Sequence, residues 1–442
     1  MPSPAHQLRR LWIALTSNLW FVPLSLVVGG ILLASLLILA DLHIGHEWTL
    51  GHPVLFGVGA AGARGMLAAI AGSTMTVASL TFSLTVSTLA MASSQYTSRL
   101  IRNFMRDRVN QLVLGYFVGL FAYCLVVLRT IRAGDEGQFV PPIAVMGGMV
   151  LALASIAFLV YFIHHIAESI QVGTILRRVT DDTLRAIDEL FPADAGEPAT
   201  DVASDVVIGE GHVWWPVEAE AFGYVRSLDA AALLSLAAER DAVVRMCMEV
   251  GAFVTPAGAL CEIAQPVAPD ANLAGDIRAA FDLGPVRTVE QDAAYGIRQI
   301  VDIALKALSP GVNDTTTGVM CVSHLAVLLE ALAARPIPDR MRATDGVVRL
   351  VATGRSFEVL AGLCLDQIRQ SAAGNTAVLT ALLRATAAAG RRTLAPARRH
   401  TLAHHARLVA QLAESSVSCA DDREPILRLA VVVRAALAAP AG

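Results

Sequence analysis

Charge is scarce in this chain. Asp, Glu, Lys and Arg make up only 16% of its 442 residues, where soluble domains carry about a quarter, and 55% of the residues are hydrophobic. That balance excludes an ordinary water-soluble enzyme of this size. Lysine is nearly absent: Lys306 is the only one, so arginine carries almost all the positive charge. The few charges are also unevenly placed. Residues 1–163 hold 9 Arg and 5 acidic residues, a net +4, and the remainder is net −8. A sparse, slightly basic first third before an acidic remainder describes a membrane part followed by a soluble part. The same asymmetry argues against a nucleic-acid-binding module, which would need a basic face. Also missing are a Walker loop, a nucleophile elbow, a Cys-x-x-Cys pair and a paired Cys/His zinc signature. No catalytic residue, metal site or cofactor is therefore assigned. The six cysteines, at 124, 247, 261, 321, 364 and 419, read as reduced, buried thiols.

What is present is a set of long uncharged runs. Nothing between Arg10 and Asp41 carries charge, and Leu19 to Ala40 supplies the roughly 20 apolar residues that a span needs. Similar runs lie between Arg64 and Arg99, between Arg108 and Arg129, and from Gln138 to His164. Four transmembrane helices are expected within residues 1–165. The first is too long for a signal-peptide core and no small-x-small cleavage site follows it, so it is expected to stay. Arg9 and Arg10, then Arg99, Arg102, Arg106 and Arg108, then Arg177, Arg178 and Arg185 all fall on one side of such a bundle. Both termini are accordingly expected in the cytoplasm.

The second run differs from the others in being rich in hydroxyls. Met75, Phe82, Val86 and Leu89 gather on one narrow helical face that suits lipid, whereas Ser73, Thr76, Ser83, Ser87 and Ser94 fall elsewhere. Two readings follow. Small hydroxylated residues let helices approach closely and bond across membranes, or the five line a wetted route, as uncharged polar groups do at little cost. Histidines group at His43, His46 and His52 with Glu47, and at His164 and His165 with Glu168. They are read as interfacial groups and a one-turn salt bridge in preference to a metal site or pH gate.

Beyond the spans, Val172, Leu176, Val179, Thr183, Ile187 and Leu190 recur at steps of three and four. This predicts an amphipathic helical stalk over 166–192, continuous with span four and in need of a partner helix. A Pro/Gly-rich linker, 192–200, follows. Short β-prone runs over 201–266 predict a small β-rich, barrel-like domain. Its segment Gly251 to Leu260 is similar to the turn of biotinyl-like domains, yet it has no lysine to modify. Residues 267–442 read as a mostly α-helical cytoplasmic domain, with one strand over Gly346 to Thr353. There His400 and His404, with Arg398, Arg399, His405 and Arg407, read as a solvated basic face.

One loop carries unusual polar density. Pro310 and Gly311 end a helix, and Asn313 or Asp314 is placed to cap the next. Arg287, Glu290, Asp292, Arg298, Asp302 and Lys306 lie on the approach. A small anionic ligand is the expected guest there, held by Arg287, Arg298, Lys306, Asn313, Thr315, Thr316 and Thr317 near a helix N-terminus. The competing reading is a self-satisfied cap built around Asp314.

Two stretches of the chain resemble a known family. They are Phe82-Ser-Leu-Thr through Arg99-Leu-Ile-Arg-Asn-Phe-Met-Arg-Asp-Arg108 to Val126-Val-Leu-Arg129, and Arg287-Thr-Val-Glu-Gln-Asp292 through Val301-Asp-Ile-Ala-Leu-Lys-Ala-Leu-Ser-Pro-Gly-Val-Asn-Asp314. Together they resemble the bacterial predicted-membrane-protein family classed as domain of unknown function 2254. Ser98 and Thr315 stand where that resemblance leads one to expect proline. It implies four membrane helices, a cytoplasmic domain and a bacterial inner-membrane location, with no established activity. The expectation is a homo-oligomeric channel or transport-like protein in the lipid bilayer. The alternative is a membrane-anchored sensor or enzyme that binds an anion through Arg287 to Thr317.

Overall fold

The computed structural model describes residues 20–44, 59–95, 107–132, 139–190, 213–289, 291–335, 341–344 and 347–439. The expectations placed on Arg9, Arg10, Arg99, Arg102 and Arg106, on His46, Glu47 and His52, on the linker 192–200, on residues 201–212 and on Glu290 lie outside the described residues, as does the side chain of Ser94.

The uncharged runs become four long helices, α1 (Phe21–Ile44), α2 (Ala60–Gln95), α3 (Arg108–Thr130) and α4 (Pro142–Ser169), within a unit spanning residues 1–171. Helix α3 touches the other three. Its seam with α1 depends on missing side chains. Gly115 and Gly119 lie one turn apart on α3, and a Cβ at Gly119 would stand 2.8 Å from the Leu26 carbonyl oxygen, one at Gly115 2.8 Å from Pro23 Cα. Gly30 of α1 faces the Gly119 backbone in the same way. Lipid supplies no hydrophobic drive between helices, so contact energy comes from backbones brought this close.

Hydrogen bonds tie the remaining seams. Tyr123 and Tyr116, two turns apart on α3, donate to Ala144 O at 2.5 Å and Leu151 O at 2.6 Å on α4. Gly147 and Gly148 leave the room Tyr123 needs. Helix α4 begins with Pro141 and Pro142 and has no side-chain cap of its own. Asp41 of α1 supplies one, accepting from Ile143 N at 2.9 Å and Ala144 N at 3.0 Å. Arg64 sits inside α2 and donates to Ile131 O at 2.6 Å, so the helix begins earlier than its uncharged run.

The expected continuous stalk is broken. Helix α4 ends at Ser169, and α5 (Val172–Leu190) begins a second unit, residues 172–442. The α5 stripe of Leu176, Val179, Thr183 and Ile187 is buried within that unit, against α8 (Ala293–Ala307) and α9 (Thr315–Ala334). Gly296 of α8 admits the Thr183 side chain.

The β-rich part forms two hydrogen-bonded sheets. One has the order β1-β5-β3-β8-β7 and the other β4-β2-β6. The strands are β1 (Val213–Glu218), β2 (Gly223–Leu228), β3 (Val243–Met246), β4 (Phe253–Val254), β5 (Ala259–Gln265), β6 (Phe281–Gly284), β7 (Met341–Thr344) and β8 (Val347–Val351). All pairings are antiparallel except β3 with β8. Strand β8 falls on the strand expected over 346–353, whereas β6 and β7 come from stretches where none was expected, so the sheets reach well beyond residue 266. The chain passes from β4 to β5 through Ala257 at φ +63° and changes sheet there. Both sheets, with α6 (Ala230–Glu239) and α7 (Ala271–Ala279), close on one core that includes Val225, Leu233, Val244, Val254, Ile263, Ile277 and Leu350.

Helices α10 (Phe357–Gln370), α11 (Thr376–Gly390), α12 (Pro396–Ser416) and α13 (Ala420–Ala438) complete the second unit. Among the described residues, five helices are long and apolar enough to cross a membrane: α1 to α4, and α9. Helix α9 packs against α5, α8, α10 and α11 of its own unit.

Candidate functional site

Helix α2 has two small-residue faces. Ala60, Ala63, Leu67, Ala71, Thr74, Ala78, Thr81 and Thr88 are buried, and the helix lies against α3 and α4. Their steps of three and four, with one gap of seven, define a single stripe. Thr74 and Thr81 donate to carbonyls of their own helix, at Ile70 (2.8 Å) and Ala78 (2.9 Å), which lets a hydroxyl be buried at little cost. Roughly opposite run Gly62, Gly65, Gly72, Thr76, Ser79, Ser83 and Ser87, all exposed. Nothing stands within 4 Å of a Cβ built at Gly65 or Gly72.

Four of the five residues expected to line a route, Ser73, Thr76, Ser83 and Ser87, are exposed on or beside this second stripe, and not one is among the hydroxyls buried inside the unit. Ser73 and Thr76 bond back to Ile70 O and Gly72 O at 3.0 Å. The hydroxyls of Ser79, Ser83 and Ser87 make no hydrogen bond among the described residues. Phe82 and Val86 are half exposed as well, so bulky apolar groups flank the stripe. Buried Thr74, Thr81 and Thr88 fit the helix-packing reading of the hydroxyl-rich run; which hydroxyls pack was not legible, because Ala and Thr carry too weak a hydropathy signal to mark a packed face.

The anion-site candidates divide between the two ends of α8. At its N-terminal end Asp292 is 4% exposed and caps the helix, accepting from Tyr295 N at 3.0 Å. Arg287 donates twice to the same carboxylate, at 2.6 and 2.8 Å, and stacks over the Tyr295 ring. Gly251, at φ +89°, passes so close to this pair that any side chain there would collide with it. Burial pushes the Asp292 carboxyl above its ordinary range, with Arg287 opposing. Arg355, paired with Glu249 at 2.9 Å, adds a second ion pair nearby. Arg298 donates to Gln367 of α10 at 2.5 Å.

At the C-terminal end, Lys306 is exposed and Asn313 holds φ +48°. Asp314 caps α9 and accepts from Thr317 N at 3.0 Å and Thr317 Oγ1 at 2.6 Å. These bonds hold its carboxyl below the ordinary range. Thr315 Oγ1 accepts from Asn375, the cap of α11, at 2.8 Å. Arg298 lies about 15 Å along α8 from this turn at 1.5 Å per residue. The helix end meant for an anion thus already holds the chain's own carboxylate, and Thr316 alone of the three threonines has no described side-chain partner.

The basic face on α12 is largely structural. Arg398 Nη1 donates to the carbonyls of Leu332, Ala333 and Arg335 (2.6–3.2 Å), closing the end of α9, and Arg399 donates to Leu437 O at 3.0 Å and to Ala436 O at the end of α13. His405 is buried 3.5 Å from Asp366, and burial lowers its pKa. Among the described residues no group of three or more His, Cys, Asp and Glu is arranged to hold a metal.

No solved structure matches this chain. It is similar to "Uncharacterized protein Rv1290c" of Mycobacterium tuberculosis and "Uncharacterized protein Mb1321c" of Mycobacterium bovis, 35% identical to each over 376 residues, which are 83% of this chain and 71% of theirs. The family described as "Predicted membrane protein (DUF2254)" matches residues 16–388. With most of its length so matched and several helices long enough to span a bilayer, the chain belongs to that family and is a multi-pass membrane protein.

Proposed function

We propose that the chain is a homo-oligomeric channel or transport-like protein of the bacterial inner membrane, with four spans, both termini in the cytoplasm, and a second unit that regulates it. The supporting observation is the exposed stripe of α2. Lipid gains nothing from Gly62, Gly65, Gly72, Thr76, Ser79, Ser83 and Ser87, whereas a second copy packs closely on small residues. The unpaired hydroxyls of Ser79, Ser83 and Ser87 suit a wetted path between copies. The count of four spans, with α9 left out, is supported by the surroundings of α9, which meets four helices of its own unit. Orientation rests on the arginine clusters, Arg177, Arg178 and Arg185 among them.

Two measurements test the proposal. Purified in detergent, the protein should have the mass of a symmetric oligomer, and a monomer removes a path shared between copies. Single cysteines at positions 83 and 87, in a chain without the six native ones, should react with a small aqueous thiol reagent, and those at 82 and 86 should not. Equal protection at all four favours plain helix packing. The anion-sensor reading is not favoured, because Asp314 fills the helix end it requires.

A further inference from the structure

The start of α3 gathers buried polar groups that neither the seams nor the α2 stripe uses. Asp107 is the N-cap: its side chain is 8% exposed, its Oδ1 accepts from Val109 N at 2.9 Å, and its Oδ2 lies 2.9 Å from Nε2 of His165 on α4. Three residues on, Asn110 is 7% exposed, and beside it Gln111 is 1% exposed. In a capping box the residue three positions after the cap reaches back with its side chain to the cap residue's N–H. Here the box stays open. Asn110 Oδ1 is buried and accepts no hydrogen bond. A buried acceptor without a donor is costly, and it calls for a positive or hydrogen-bearing guest. The apolar cluster of Ala78, Val113, Phe117, Phe162 and Ile166 packs on the neighbouring turns.

We propose that Asp107 and Asn110, backed by His165, form a binding site for one monovalent cation. Charge decides the valence: one carboxylate and one neutral amide oxygen match a single positive charge. Each carboxylate oxygen has a second lone pair left after the bonds from Val109 N and His165. The positive end of the α3 dipole opposes a cation, yet α4 runs antiparallel and ends at Ser169, bringing its negative end and His165 to the same place. Arg108 points to solvent and is exposed. An ionisable group at the end of a span, paired across helices, is where ion sites of membrane proteins occur. The proposal stands whether or not the copies enclose a path, because it concerns occupancy and not flux.

The test uses the full-length protein in detergent at fixed pH and ionic strength, with sodium or potassium chloride replacing N-methylglucamine chloride. The melting temperature should rise with the logarithm of the concentration of one alkali cation, as it must for a ligand bound only by the folded state. D107N keeps a good cap residue but loses the charge, and should bind at least about tenfold more weakly, the loss expected of a charged partner. N110A should also weaken the cation response. A wild-type protein indifferent to the exchange overturns the proposal. So does an N110A variant that responds like wild type, since the amide oxygen would then face only a trapped water.

Discussion

The two units hold together by opposite means. In residues 1–171 the closest contacts are made where side chains are missing, at Gly30, Gly115 and Gly119, and the other ties between helices are a few hydrogen bonds, most of them to backbone groups. In residues 172–442 six of the helices, α6 to α11, begin with polar side-chain caps, Asp229, Asp270, Asp292, Asp314, Ser356 and Asn375, and close over buried apolar residues. Lipid around the first unit and water around the second, as proposed above, account for the contrast. In water, burying apolar surface drives assembly and exposed helix ends must be capped locally. In lipid, apolar surface is free to stay outside, so only close approach and hydrogen bonding distinguish one neighbour from another.

The sharpest way to break the first kind of contact is Gly119→Leu. The added side chain meets the Leu26 backbone, which cannot swing away as a flexible side chain would. Overpacking typically costs 1–3 kcal/mol, and contact with backbone should place this variant at about 3 kcal/mol or above. Cys124 is buried in the first unit and Cys364 in the second. Chains keeping one or the other cysteine report the two units separately by thiol reactivity on heating. Gly119→Leu should expose Cys124 early and leave the Cys364 profile unchanged. Simultaneous loss of both would mean the units do not melt independently.

In the second unit the matching experiment is Asp292→Ala. It removes the cap of α8 and leaves Arg287 without its carboxylate, at a cost of about 2–3 kcal/mol, below the usual figure for a buried pair because Arg287 keeps contact with water. The pH dependence carries a sign. Burial raises the Asp292 carboxyl, so the folded state favours the neutral form, and stability falls as pH rises from about 3.8 through the folded value. Asp292→Asn should remove that slope, as read from melting temperature between pH 3.5 and 6.

Much of the first unit was legible, because a bilayer forces long uncharged runs. The four runs match α1 to α4 to within a few residues. What was hidden is set by backbone. The Asp41 cap of α4 joins residues about a hundred positions apart, and the arginines of α12 end helices whose carbonyls no side-chain pattern announces. Strands of four residues, such as β6 and β7, are too short to alternate visibly, whereas β8 was legible. The loop at Asp314 was legible as a cap, and its partner Asn375 was not.

A smaller effect separates cap from ligand site at that loop. Asp314→Ala should cost about 1 kcal/mol, the usual price of a lost N-cap. Here the sign is reversed: bonds from Thr317 lower the carboxyl, so its contribution is present above about 3.8 and is lost as pH falls through the folded value. Asp314→Asn, still a good cap, should erase this acid-side loss. Phosphate or a dicarboxylate should leave the melting temperature of wild type unchanged. A rise proportional to the logarithm of anion concentration would restore the anion-site reading.

The smallest expected effect bears most directly on the contrast between the units. Tyr123→Phe deletes one buried hydrogen bond, from the Tyr123 hydroxyl to Ala144 O, and keeps the ring that fills the space left by Gly147 and Gly148. In an aqueous core a lost bond of this kind costs about 1 kcal/mol. Low dielectric suggests a larger loss in lipid, yet bonds between membrane helices average about 0.6 kcal/mol, because the separated helices also find partners. The Ala144 carbonyl sits in the first turn of α4 and still accepts from within its own helix. The loss should therefore be about 0.6 kcal/mol, seen as a slight advance of Cys124 exposure with Cys364 unaffected. A loss well above the aqueous value would show that this bond, and not the glycine seam, sets the register of α4 on α3. Comparison with Tyr116→Phe, whose bond to Leu151 O is similar but only partly buried, then separates the effect of burial from that of the bond.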